Sequence, residues 1–140
     1  MAVTTIKLDI LTPMGPKRRG VEVAGVEIPG LLGEIGVLPD HVPFITPVVP
    51  GVVRFREGDT SARIAVGAGF LEVTRDNRVV ILVERALESS EIDAAKLKGR
   101  RDEVQASLAR ELGSIDAAEH RKLTGELGWL DAQVRAAQPG

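Results

Sequence analysis

The stretch RVVILVERALESSEIDAAKLKGRRDEVQASL, residues 78–108, changes its period part-way along. As far as Glu84 it is apolar enough for a strand buried on both faces. After Leu87 glycine and proline thin out, alanine, leucine, glutamate, lysine and arginine take over, and apolar residues recur every three or four positions. That spacing predicts a helix. Ser90 with Asp93 reads as a capping box, and Leu97, Val104, Leu108 and Leu112 form one apolar stripe. Gly113 ends the run, Asp116 with Glu119 offers a second cap, and Leu123, Leu127, Leu130 and Val134 form a second stripe. Two short helices joined by a tight turn are expected to pair antiparallel. Gly125 and Gly128 fall inside the second helix, so it depends on packing more than on propensity.

Upstream, the period is two. From residue 5 to residue 11, Ile6, Leu8 and Ile10 face one way and Thr5, Lys7 and Asp9 the other, as a half-buried strand requires, and Pro13 closes it. The pattern recurs in VVRFRE, where Val53 and Phe55 alternate with Arg54 and Arg56, and again in RIAV and FLEVT. Between these runs lie PMGP, AGVEIPG, EGDT, GAG and RDN, all turn chemistry. The expectation is an α+β chain of two domains: an antiparallel β-sandwich over residues 1–87, then an antiparallel two-helix hairpin over residues 88–140.

Composition narrows the function. The chain has 140 residues, 44% of them hydrophobic, with a formal net charge of −2 that leaves no basic field for nucleic acid. Three Phe, one Trp and no Tyr leave little for base stacking, and the lack of cysteine removes disulfides, thiolate zinc sites and thiol nucleophiles. The N-terminus lacks the pattern of a secretory signal, and no segment approaches the roughly 20 apolar residues of a membrane span. The chain is expected to be neither exported nor membrane-spanning. His41 beside Asp40 does not make a catalytic pair, because neighbours on an extended chain point to opposite faces. His41 and His120 lie in different halves without a helical partner of the kind a metal needs, the serines have no G-x-S-x-G setting, and GLLGEIG is no phosphate loop. No catalytic residue and no metal site is expected.

GEIGVLPDHVPFIT at residues 33–46, followed by PGVV at 50–53, resembles the signature of the epsilon subunit of bacterial rotary, F-type ATP synthases. LDILTP, GAGFLEV, VVIL and IDAAK are similar to further parts of that family, in the same order and over nearly the whole chain. One departure is Asp40, where the family commonly has glycine; aspartate tolerates the left-handed conformation better than most residues. The resemblance implies a β-sandwich followed by a helical hairpin, and a non-catalytic central-stalk rotor subunit that helps couple proton flow to ATP synthesis. The implied partners are the gamma subunit, the c-ring and the alpha and beta subunits, with one copy per complex and no direct membrane insertion. The implied location is the cytoplasmic face of the bacterial inner membrane. Stiff proline-braced loops suit docking, since little entropy is lost on binding. Glu34, His41 and Thr12 are the implied interface residues, Glu34 facing the polar loops of the c-ring.

The hairpin is implied to inhibit ATP hydrolysis when it extends, with Arg110, Arg121, Lys122 and Arg135 available to acidic surfaces of the catalytic subunits. Some members of the family bind ATP on the hairpin. Ile92 and Asp93 match that motif, but Lys96 replaces its arginine and Leu97 its alanine, and a lysine lacks the planar fork. No cofactor is implied, and ATP enters only as a weak regulatory ligand. An ATP-sensing module is the alternative reading.

Overall fold

The computed structural model describes residues 4–110 and 117–138, apart from the side chain of Arg110. Leu112, Gly113 and Asp116, given to the end of one helix and the start of the next, lie outside the described residues.

Ten strands are formed among these residues: β1 (Ile6–Thr12), β2 (Gly15–Val23), β3 (Val26–Gly30), β4 (Gly33–Val37), β5 (Phe44–Val48), β6 (Gly51–Glu57), β7 (Thr60–Val66), β8 (Gly69–Val73), β9 (Arg78–Val83) and β10 (Ala86–Glu88). They follow the order β10-β7-β6-β3-β5-β8-β9-β1-β2, with β4 paired to β3. Each pairing is antiparallel except that of β1 with β9, which runs parallel from Lys7 opposite Arg78 to Leu11 opposite Leu82. Hairpin neighbours must run antiparallel, whereas strands so far apart in the chain are free of that constraint. The path folds over on itself: Arg18 of β2 reaches Glu57 of β6 and Glu88 of β10, so the two ends of the strand order meet in a sandwich.

Ile6, Leu8 and Ile10 are fully buried between the layers with Val53, Ile64, Leu71, Val79 and Ile81. Asp9, read as exposed, is also buried. The register of β1 against β2 shifts between Leu8 and Ile10, and Gly20, at φ 65°, aims its N–H at the Asp9 carboxylate. Arg78 Nη1 holds the other carboxylate oxygen at 2.5 Å. A bulge is invisible to a simple alternation of apolar and polar residues.

Helices α1 (Ala94–Arg110) and α2 (Ala117–Ala137) follow a 3₁₀ turn at Ser89–Glu91. Their stripes meet as expected: Leu97 and Val104 pack with Leu130, flanked by Leu108, Leu123, Leu127 and Val134. The cap differs from the expectation. Ser90 lies within the 3₁₀ turn, where the box is formed by Glu88 and Glu91, Glu88 N–H donating to Glu91 Oε1 at 2.9 Å. Asp93 itself caps α1, accepting from Ala95 N–H at 3.1 Å and Lys96 N–H at 3.2 Å. The extended Ile92 between them separates the two devices.

A second buried face of α2 went unread in the sequence. Trp129, Ala132 and Ala136 cover Val52 of β6 and Ala65 of β7, and the Arg85 guanidinium stacks 4.8 Å from the Trp129 ring centre. The hairpin is thus seated on the outside of one sheet layer, through a helix that packs on two sides.

Backbone approach fixes one glycine. A Cβ on Gly69 would lie 1.9 Å from the Leu82 carbonyl oxygen, so β8 and β9 would have to part. A Cβ on Gly125 would meet nothing within 4 Å. We expect Gly69→Ala to destabilise by about 1–3 kcal/mol, as overpacking does. Gly125→Ala is expected to stabilise by about 0.8–1 kcal/mol. Urea unfolding of both variants checks the two signs.

Candidate docking surface

Following the register from Leu11–Leu82 through Leu82–Phe70, Phe70–Pro47 and Val48–Gly30 to Pro29–Glu34 puts Thr12 and Glu34 at the same end of the strands. His41 lies at the other end, in the loop between β4 and β5. The three candidate interface residues therefore do not form one cluster.

At the first end, the Thr12 hydroxyl donates to Gly15 O at 2.8 Å and accepts from Met14 N–H at 3.1 Å. Thr12 is thus committed to the turn, and the side chain presented there is the exposed Met14. The β3–β4 hairpin likewise exposes Leu31 and Leu32 at its tip, with Gly33 at φ 121°. Glu34 beside that tip is exposed, and among the described residues its carboxylate pairs with Arg54, at 3.6 Å.

At the second end, Asp40 and Asn77 both take left-handed backbone, φ 64° and 57°, and lock together. Asp40 N–H donates to Asn77 Oδ1 at 2.5 Å, Asn77 Nδ2 donates to Asp40 Oδ1 at 3.2 Å, and Asn77 O accepts from Lys7 N–H at 2.9 Å. Aspartate therefore keeps the turn that glycine would otherwise make. The Asp40 carboxylate serves Asn77 and not His41, whose Nδ1 lies 2.9 Å from Val42 O and whose ring sits 5.0 Å from that of Phe44.

Between the two ends runs a surface that the alternation of residues displays but sequence reasoning did not single out. Ile45, Phe70 and Leu82 point away from the core and are each more than half exposed. Phe70 stands opposite both Pro47 and Leu82, and Leu82 opposite Leu11, so the apolar row crosses β5, β8, β9 and β1. On the β6–β7 layer α2 covers the outer face at Val52 and Ala65, while this apolar row is bare. A contiguous apolar face with an aromatic at its centre is suited to binding a protein surface.

On the hairpin, Ile92 packs in the apolar seam between sheet and helices, and the Asp93 carboxylate serves the α1 cap. Lys96 is exposed beside them. Arg121, Lys122 and Arg135 lie exposed along α2, whereas the Arg110 side chain lies outside the described residues. Two inter-helix pairs were also unread, Arg100 Nε with Glu126 at 2.7 Å and Arg101 Nε with Asp131 at 2.6 Å.

Residues 5–89, from β1 to the 3₁₀ turn, match the family described as the ATP synthase delta/epsilon chain, beta-sandwich domain. The chain belongs to the ATP synthase delta/epsilon family. A relative in Magnetococcus marinus, an ATP synthase epsilon chain, is 36% identical over 134 residues, covering 96% of this chain and 95% of its own length. The epsilon chain of Syntrophobacter fumaroxidans is 39% identical over 134 residues, covering 95% and 96%. Both alignments extend the family likeness through the helices. Among solved structures, a chain of the Euglena gracilis mitochondrial ATP synthase OSCP/F1/c-ring complex matches with a TM-score of 0.82 and 25% identity, over 98% of this chain and 83% of that one. The family assignment accounts for the fold and for the sequence signature at residues 33–53.

The junction of sandwich and hairpin is held by charge. Lys17 Nζ binds Glu91 Oε1 at 2.8 Å, and this hydrogen bond, with one from Glu88 N–H, holds the Glu91 carboxyl below its ordinary value. A carboxyl depressed in the folded state stabilises above its unfolded pKa, and that contribution is lost as pH falls through the folded one. Glu91→Gln is therefore expected to cost a few tenths to about 1 kcal/mol near neutral pH, a difference that shrinks below roughly pH 4. Urea unfolding of both proteins across pH checks it; a pH-independent difference would rule out the ion pair as its cause.

Proposed function

We propose that this chain is a non-catalytic subunit of the central stalk of an F-type ATP synthase, turning with the gamma subunit and the c-ring and coupling proton flow to ATP synthesis. The observation that carries this reading is the unequal treatment of the two outer faces. One has its apolar residues, Val52 and Ala65, covered by the chain's own α2, and the other exposes Ile45, Phe70 and Leu82. Gamma docks on the bare face. The exposed tips at Met14 and at Leu31 and Leu32, with Glu34 beside them, meet the polar loops of the c-ring. The subunit is peripheral, on the cytoplasmic face of the inner membrane, in one copy per complex; no described helix is long and apolar enough to cross a membrane.

The hairpin inhibits ATP hydrolysis when it leaves its seat and enters the catalytic sector, where Arg110, Arg121, Lys122 and Arg135 meet acidic surfaces of the alpha and beta subunits. The helix that must move supports this reading: α2 carries glycines at 125 and 128 and is held largely by what it packs against. With Asp93 engaged in the cap and Lys96 replacing the motif's arginine, ATP acts only as a weak regulatory ligand.

Phe70→Asp, at an exposed position, is expected to leave the melting temperature within a few degrees of the parent while lowering recovery of gamma with the tagged chain at least tenfold. Undiminished recovery would refute docking through this face. Truncation after Ser89 is expected to leave assembly and ATP synthesis intact and to raise ATP hydrolysis by the complex. Unchanged hydrolysis would make the hairpin a structural element instead of an inhibitor.

A further inference from the structure

A groove of about 690 Å³ lies on the outer face of β3, β4, β6 and β7, within the size range of small-molecule sites. One row of residues crosses it in register: Gly36, Glu27, Arg54 and Arg63. The next row places Arg56 opposite Ser61. Arg54 and Arg63 are like charges directly opposite on neighbouring strands, an arrangement that costs stability unless something neutralises it. Inside the chain, little does. Arg54 reaches Glu34 at 3.6 Å with both side chains more than two-fifths exposed, and the Arg63 side chain has no hydrogen-bond or ion-pair partner among the described residues. Arg56 is steadied by Asp59 O at 3.1 Å and Ser61 Oγ at 3.3 Å, which engages two of its donors and leaves the rest of the fork open. The three guanidinium groups exceed the two carboxylates of Glu27 and Glu34 that flank them. At Gly36 a Cβ would meet nothing within 4 Å, so the groove is open there, while Leu38 and Ala62 supply apolar wall.

We propose that this groove binds a small phosphate-bearing anion, held by Arg54, Arg56 and Arg63. Planar forks carried side by side on adjacent strands match phosphate oxygens in pairs, which a single point charge does not. The site is separate from Ile92, Asp93 and Lys96. It adjoins the seat of α2, since Val52 and Ala65 lie one step along the same faces of β6 and β7. The inference is independent of the rotor reading.

The test is titration of the ¹⁵N-labelled full chain with inorganic pyrophosphate, inorganic phosphate and ATP, with calorimetry in parallel. Saturable shifts at the amides of Gly36, Ala62 and Arg63 are expected, with pyrophosphate tighter than phosphate. Arg63→Gln is expected to weaken pyrophosphate at least tenfold, Arg63→Lys less, and Asp93→Ala not at all, with a single cooperative thermal transition showing that each variant folds. The absence of saturable shifts at millimolar pyrophosphate, or an affinity unmoved by Arg63→Gln, would overturn the proposal. Tighter binding of a hexaglutamate peptide at the same amides would overturn it too, reassigning the groove to an acidic protein segment.

Discussion

Arg18 closes the sandwich. Its guanidinium lies 2.7 Å from Glu57 and 2.6 Å from Glu88, donates to Lys17 O at 2.7 Å and stacks 5.5 Å from the Phe55 ring centre. Burial works against the charged form, but the hydrogen bonds to Glu57 and Glu88 outweigh it and the guanidinium pKa is raised overall. One side chain thus ties β2, at one end of the strand order, to β6 and β10 near the other. Lys17 beside it extends the tie to Glu91 in the 3₁₀ turn. Truncating Arg18 would strand two carboxylates at the seam, a larger penalty than losing an exposed pair.

With both ends of the sheet order joined, each layer has one outer face to dispose of. The layer of β6 and β7 gives the apolar part of its face, Val52 and Ala65, to α2, and the layer of β5, β8 and β9 keeps an apolar face open. The helices have an apolar cluster of their own and a second one where α2 meets Val52 and Ala65. Most apolar burial lies between the sheets, among residues that α2 does not touch.

Sequence periodicity was enough for β1, β6, β7 and β8 and for the apolar stripes of the hairpin, because each residue there has one buried side; AGVEIPG, read as a turn, instead holds β3, and β9, read as buried on both faces, leaves Leu82 exposed on its outer one. Periodicity failed where a residue serves two partners or where partners are distant in the chain. Asp9 follows the polar alternation of β1, yet a bulge near Gly20 and the parallel neighbour β9 enclose it. Val52 stands beside Val53 in what reads as one apolar run, and only the docking of Trp129 gives it a burial of its own. Glu34 and His41 lie in the quoted signature and Thr12 in LDILTP, where it supports a turn whose tip is Met14. The apolar row through Phe70 was written in FLEVT and VVIL all along; seeing it required the register that sets those strands side by side.

Trp129 is the only tryptophan, and the chain has no tyrosine. Its ring lies between the Arg85 guanidinium and the small residues of β6 and β7, so ultraviolet emission from this protein comes almost entirely from the contact that seats α2. Lifting the helix would move the indole into water and shift its emission to the red while the sandwich stayed folded. The molecule carries an optical readout of its hairpin that needs no added dye.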